Sequence, residues 1–183
     1  MYIERALEPL VRRYSENFKI VAVTGPRQVG KTTMLKHLME EEAESGVDRV
    51  YVTLDNTAIL QTAKEDPALF LQRYRPPVLI DEIQKAPELL PYIKMIVDER
   101  DDCGSVWITG SQPLHLMKAV SESLAGRVGI VEMLGLSHSE VAGTPSEPYL
   151  PSADYFMRRV DMAKPFGVSE AYRQICAGSL PGI

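Results

Sequence analysis

The sequence predicts an α/β fold of three layers, with a five-stranded parallel sheet between two layers of helices. Three observations predict it. Short, continuously apolar runs alternate with amphipathic helical stretches, a glycine-rich turn joins the first run to a helix, and two carboxylates end the third run. Strand–helix alternation of this kind implies parallel strands, because right-handed crossovers lay helices over both faces of the sheet.

The elements follow in order. Ile3, Leu7, Leu10, Val11 and Tyr14 share one helical face, so an amphipathic helix opens the chain. "KIVAVTG" is a strand buried on both faces, since Ile20 to Val23 are apolar without interruption. A helix runs from Gly30 towards Ala43 with Leu35 and Leu38 inward, "SGVD" breaks it, and "RVYVTLD" is the second strand. The helical stretch from Asn56 to Arg75 divides at Asp66-Pro67, because proline is at home in the first turn of a new helix. "PPVLID" is the third strand, and Leu89, Tyr92, Ile93, Ile96 and Val97 mark the next amphipathic helix. "SVWITGS" is the fourth strand, "PLHLMKAVSESLAG" a helix and "RVGIVEML" the fifth strand. Beyond Gly135 the alternation lapses: Pro145, Pro148 and Pro151 mark a linker, "VSEAYRQICAG" is one last helix, and "SLPGI" closes no element.

Composition narrows the class. With 45% hydrophobic and 25% charged residues, a chain of 183 residues can bury a single-domain core. No apolar run reaches the roughly 18 residues of a membrane span, and "MYIERALEPLVRRY" has no apolar signal core. Cys103 and Cys176 are too few and too far apart for a disulfide framework or a zinc cluster, which fits a reducing, cytoplasmic setting. A net charge of −5 argues against a chain that coats nucleic acid, although a local basic groove stays open.

Gly25-Pro26-Arg27-Gln28-Val29-Gly30-Lys31-Thr32 matches the phosphate-binding loop pattern, with a strand before it and a helix after. Gly25 and Gly30 permit backbone angles and close approach that a side chain would block. The loop amides and the start of the helix then face an anion. Lys31 supplies a point charge for the β and γ phosphates and Thr32 a hydroxyl for Mg²⁺, and the nucleotide-binding set runs from Gly25 through Thr33. Arg27 either touches phosphate or only forms a salt bridge. A chance glycine turn explains the match poorly, because the flanking elements are also the required ones.

"PVLIDEIQ" ends a buried strand in two acids. Asp81 suits Mg²⁺ beside Thr32, and Glu82 suits a water to be oriented or deprotonated. Paired acids at a strand end can also cap a helix, but the loop some fifty residues upstream favours catalysis. If the fourth strand lies between the other two, Thr109 or Ser111 faces the γ phosphate. Ser111 is the choice, with Thr109 and Gln112 as rivals and a helix cap as the plain alternative. Arg127, between a helix and the fifth strand, can reach a γ phosphate on a neighbouring subunit or pair with a surface carboxylate. Asp55 reads as the N-cap of "NTAIL", and His37, His115 and His138 lack metal-ligand spacing. "DERDD" is a solvated helix end, and no N-K-x-D signature is present, so ATP is favoured over GTP.

"GPRQVGKTT", "VLIDEIQKAPELLPYIK", "ITGSQ" and "SESLAGRV" occur in that order. The chain from Tyr2 to Leu136 thereby resembles prokaryotic AAA-type ATPases whose ATPase domain precedes a C-terminal domain of unknown function. The resemblance implies an AAA-like P-loop sheet with an inserted strand, ATP with Mg²⁺ as ligand, and Arg127 as an arginine finger acting on a neighbouring copy. It also implies a core over 1–142, followed over 143–183 by a proline-rich linker and the first part of a helical lid. Members of that group continue well beyond this length.

The expected activity is Mg-dependent hydrolysis of ATP to ADP and phosphate, coupled to conformational change. Its rivals are an ATP-gated interaction switch with little turnover, a phosphotransferase and a DNA-associated ATPase. Self-association through Arg127 and an unspecified protein partner are expected, and a membrane is not.

Overall fold

The computed structural model describes residues 2–111, 120, 123–144, 152–162 and 167–181. Five parallel strands form its centre: β1 (Ile20–Thr24), β2 (Val50–Thr53), β3 (Val78–Asp81), β4 (Val106–Gly110) and β5 (Val128–Glu132). Their order in the sheet is β2-β3-β4-β1-β5, so β4 is inserted between the loop-bearing β1 and the acid-bearing β3. α1 (Glu8–Asn17) precedes the first strand, and the helices between the strands include α2 (Lys31–Glu44), α3 (Thr57–Glu65), α4 (Pro67–Arg73) and α5 (Leu89–Asp98).

Alternation along each strand distributes the core over the two faces. Ile20, Ala22, Val78, Ile80, Val106 and Ile108 belong to one cluster, with Phe70, Leu89, Ile93 and Val97 from α4 and α5. Val21, Val23, Leu79 and Trp107 belong to the other, with Val11 of α1 and Met34, Leu35 and Leu38 of α2. Buried on both faces, β1, β3 and β4 have no room for polar residues until their C-terminal ends, where Thr24, Asp81 and Thr109 appear.

Register brings those ends abreast. Val23 lies opposite Thr109, Ile80 opposite Ile108 and Thr53 opposite Asp81. At the other end of β4, Trp107 is 1% exposed. Its indole N–H donates to Ser15 Oγ at 2.9 Å, and the Arg49 guanidinium lies 3.9 Å from the ring centroid.

Several sequence expectations change in detail. The first helix starts at Glu8, so Ile3 lies outside it. Asn56, not Asp55, caps α3, accepting from Ala58 N and Ile59 N, while Asp55 pairs with Lys85. Both residue types cap well, and the cation across the cleft takes the aspartate. Beyond β5 the chain is more helical than its prolines imply. It forms α6 (His138–Val141), α7 (Ala153–Met162) and the expected last helix, α8 (Val168–Ala177). "SLPGI" does make contacts: Leu136 N donates to Ser179 O at 2.6 Å, and Leu180 packs on the second core cluster. Most of the helix expected over "PLHLMKAVSESLAG", with Gln112 and His115, lies outside the described residues.

Candidate nucleotide site

The turn from β1 into α2 has the shape its glycines allow. Gly25 has φ +141°, and a Cβ there would lie 2.0 Å from the Met133 carbonyl oxygen, so only glycine fits. Gly30 has φ +96°. Gln28, with φ +64°, adopts the left-handed region without being glycine, which the sequence does not reveal. Among the described residues, no backbone carbonyl accepts from the N–H groups of Gln28, Gly30, Lys31 or Thr32. A cluster of uncommitted amides at a helix start is an anion cradle.

Lys31 is 6% exposed. Its ammonium donates to the carbonyls of Gly25 at 3.0 Å and Pro26 at 2.7 Å. Burial pushes its pKa down, against the opposing pull of Glu82 and Asp81. Thr32 Oγ1 lies 3.1 Å from Asp81 Oδ1 and 3.2 Å from Oδ2. Two hard oxygen donors so close beside a phosphate cradle fit Mg²⁺, which takes few protein ligands and completes its shell from phosphate and water. Among the described residues, no group of three or more His, Cys, Asp or Glu side chains could hold a metal by itself.

Two further hydroxyls converge on Asp81. Thr109, fully buried, donates to Oδ1, and Tyr51 donates to Oδ2 at 3.1 Å. Desolvation first, and the Asp81 charge second, push the Tyr51 phenol up to about 12. Tyr51 escapes the sequence reading because β2 alternates like any edge strand.

Glu82 sits in the left-handed region at φ 59°, ψ 43°, a conformation that costs about 1 kcal/mol or more for a residue with a Cβ. Its Oε2 accepts from the Gln84 amide and from Ser111 Oγ at 3.2 Å, and Gln84 Nε2 reaches Ser111 Oγ at 3.1 Å. Ser111 therefore faces Glu82, while its rival Thr109 faces Asp81.

The cleft over the loop has a volume of about 450 Å³, lined by Arg27, Gln28, Gly30, Lys31, Thr32 and Thr33 and closed by Glu82 and the Asp55–Lys85 pair. Pro26, at the exposed rim of the loop, contributes its carbonyl to Lys31. A larger cleft of about 630 Å³ lies at the opposite end of the sheet, beside Arg12, Arg49 and Trp107. Its arginines are already paired, with Glu41 and Glu42, and it carries none of the loop chemistry.

The remaining candidates lie elsewhere. Arg127 precedes β5, whose first residue is in register with Ile20, so it stands about 16 Å from the loop end of that five-residue strand. It makes a two-pronged ion pair with Asp98, one arm at 3.0 Å. His37 pairs with Glu41 at 3.7 Å, and His138 Nδ1 meets the Gln174 side chain. Both cysteines are free and exposed.

Sheet order, loop and acid pair together define a P-loop nucleotide-binding fold of the kind with an inserted strand. The AAA domain family model matches residues 17–142, and the chain belongs to that family. Over 137 residues it is 33% identical to the uncharacterized protein Rv2008c of Mycobacterium tuberculosis, an alignment covering 75% of this chain and 30% of that protein. The same figures hold for Mb2031c of Mycobacterium bovis, so the chain spans less than a third of these relatives' length. The Walker-type ATPase PABY2304 of Pyrococcus abyssi has a similar structure, with TM-score 0.52 and 16% identity over 90% of this chain and 60% of that one. The DnaC helicase loader follows with TM-score 0.51 and 15% identity, over 73% of this chain and 94% of that one. The replication initiator DnaA bound to AMPPCP and single-stranded DNA has TM-score 0.52 and 15% identity, over 100% of this chain and 64% of that one. Likeness at such identities speaks for the fold alone. No helix among the described residues is long and apolar enough to cross a membrane.

Proposed function

We propose that the chain binds ATP with Mg²⁺ and hydrolyses it to ADP and phosphate, coupling the cycle to a conformational change. One observation carries this reading: Thr32 and Asp81 meet at 3.1 Å beside the uncommitted loop amides, with Glu82 next in the chain. In this scheme Lys31 and the loop from Gly25 to Thr33, through its N–H groups other than at Pro26, hold the phosphates, and Thr32 and Asp81 hold Mg²⁺. Bound there, the ion neutralises charge on the β and γ phosphates. Glu82 orients and deprotonates the attacking water, and Ser111 aligns Glu82 and senses the γ phosphate. Residues 1–142 form the catalytic core, 143–183 begin a lid, and the setting is cytoplasmic.

A second reading draws on Glu82 itself. Its carboxylate is occupied by Gln84 and Ser111, which favours a nucleotide-gated switch whose base is latched. A DNA-associated role has less support, because the net charge is −5.

Glu82→Gln separates the first two. It preserves size and hydrogen bonding but removes the base, so Mg-ATP affinity should stay within a few-fold while hydrolysis falls about 10²-fold. Phosphate release and calorimetric titration measure both quantities. Wild-type turnover no faster than that of the variant establishes the switch.

A further inference from the structure

The phosphate loop is held from behind by a residue outside its motif. Arg5, in the arm before α1, is 5% exposed. Its Nη1 donates to the Val29 carbonyl at 2.7 Å, and its Nη2 donates to the carbonyls of Leu134 at 2.9 Å and Gly135 at 3.3 Å. Its Nε donates to Glu140 Oε1 at 3.0 Å. Glu140 is fixed in turn by Ala6 N at 2.8 Å and Ser137 N at 2.6 Å, the latter within a capping box. Burial opposes the charge of Glu140, but the hydrogen bonds from Ser137, Ala6 and Arg5 outweigh it and hold the carboxyl below its usual range.

The contact with Val29 has a geometric consequence. In a trans peptide the C=O and the following N–H point in opposite directions. With the Val29 carbonyl drawn towards buried Arg5, the Gly30 N–H must point the other way, to the side on which Gly30 lines the cleft. Glycine alone does not secure this orientation. It tolerates φ of either sign, so the Val29–Gly30 peptide can flip with little steric penalty. An anion cradle needs its amides aimed before the ligand arrives.

We infer that Arg5 is a positioning residue for phosphate binding, holding the Val29–Gly30 peptide with its N–H towards the cleft, and that Glu140 anchors Arg5 in that place. The inference rests on the nucleotide reading above and extends the site to the N-terminal arm and the segment after β5. A lysine at position 5 can still pair with Glu140, but it lacks the planar fork that reaches Val29, Leu134 and Gly135 together.

Calorimetric titration with Mg-ATP tests this, because it reports affinity and stoichiometry separately. Irreversibly misfolded protein lowers the number of sites and leaves Kd unchanged, and reversible unfolding raises Kd only by the inverse of the folded fraction, which circular dichroism measures. A misaimed loop raises Kd at full stoichiometry in a fully folded protein. Arg5→Lys should weaken Mg-ATP about tenfold and Glu140→Gln about threefold, with the site number retained. The double variant should be no weaker than Arg5→Lys, since Glu140 acts through Arg5. Should Arg5→Lys not fold, Glu140→Gln decides alone. Kd values within experimental error of wild type overturn the inference, and losses that simply add overturn the anchoring role of Glu140. Wild-type protein that takes up no Mg-ATP refutes the nucleotide reading itself, and the inference falls with it.

Discussion

Two buried cations at opposite ends of the central sheet, Arg49 and Lys31, are treated in opposite ways. At the N-terminal ends of the strands, Arg49 is paired with Glu42 and stacked on Trp107, Arg127 is paired with Asp98, and Arg100 with Asp102. Lys19 donates to the carbonyls of Val97 and Arg100. At the C-terminal ends, Lys31 is buried against carbonyls only, and Arg27 makes no ion pair among the described residues. A buried cation without a carboxylate partner is costly to the fold. Its presence next to free amides is what the proposed nucleotide site requires, whereas the paired arginines at the other end have their charge already matched.

Three substitutions bear on this contrast, taken in order of their effect on nucleotide affinity. The largest is Lys31→Ala, which removes the unpaired ammonium and should weaken Mg-ATP by about 10³-fold or beyond detection. Calorimetry measures it, and an unchanged Kd would end the phosphate-loop assignment.

Tyr51→Phe comes next. It deletes one hydroxyl from the group that orients Asp81 and leaves Thr32 and Thr109 in place. The Mg²⁺ concentration needed for half-maximal ATP binding should rise about tenfold, as for other supporting partners of metal ligands. A Mg²⁺ titration at fixed ATP reads this directly. An unaltered requirement makes Tyr51 an edge-strand packing residue, with Lys36 over its ring at 3.8 Å.

The smallest effect on affinity, none, belongs to Arg127→Ala, because its side chain lies at the far end of β5. The sharper readout is turnover. If Arg127 leaves Asp98 to serve a neighbouring copy, the variant should lose about 10³-fold in rate while binding ATP normally. Mixing it with Lys31→Ala should then restore part of the activity, since each supplies what the other lacks. Full activity at every dilution leaves Arg127 as the partner of Asp98, and weakened binding breaks the contrast between the ends.

What the sequence discloses follows the range of each interaction. The loop, Thr32, Asp81 and Glu82 are legible because their chemistry is local: a glycine pattern between strand and helix, and acids where an apolar run stops. Sheet order is not contained in periodicity, and the insertion of β4 comes from the family resemblance. Arg5 is illegible because its partners lie between 24 and 135 positions away, and nothing nearby separates a buried arginine from a solvated one. The same holds for Tyr51, whose role depends on β2 pairing with β3. Helix α7 is missed for another reason: its apolar residues Phe156, Met157 and Val160 are exposed, and the prolines before it read as a linker.

Trp107 has a practical consequence. It is the only tryptophan in the chain, its indole is enclosed by Arg49 and Ser15, and it precedes Thr109 by two positions on the same strand face. Ultraviolet emission from this protein therefore comes chiefly from one dry, cation-capped ring, on the strand beside the one that ends in the acid pair. A shift in that emission reports exposure of the ring as the sheet centre loosens. The fold thus carries an optical gauge of strain between the two ends of the sheet, readable without a label.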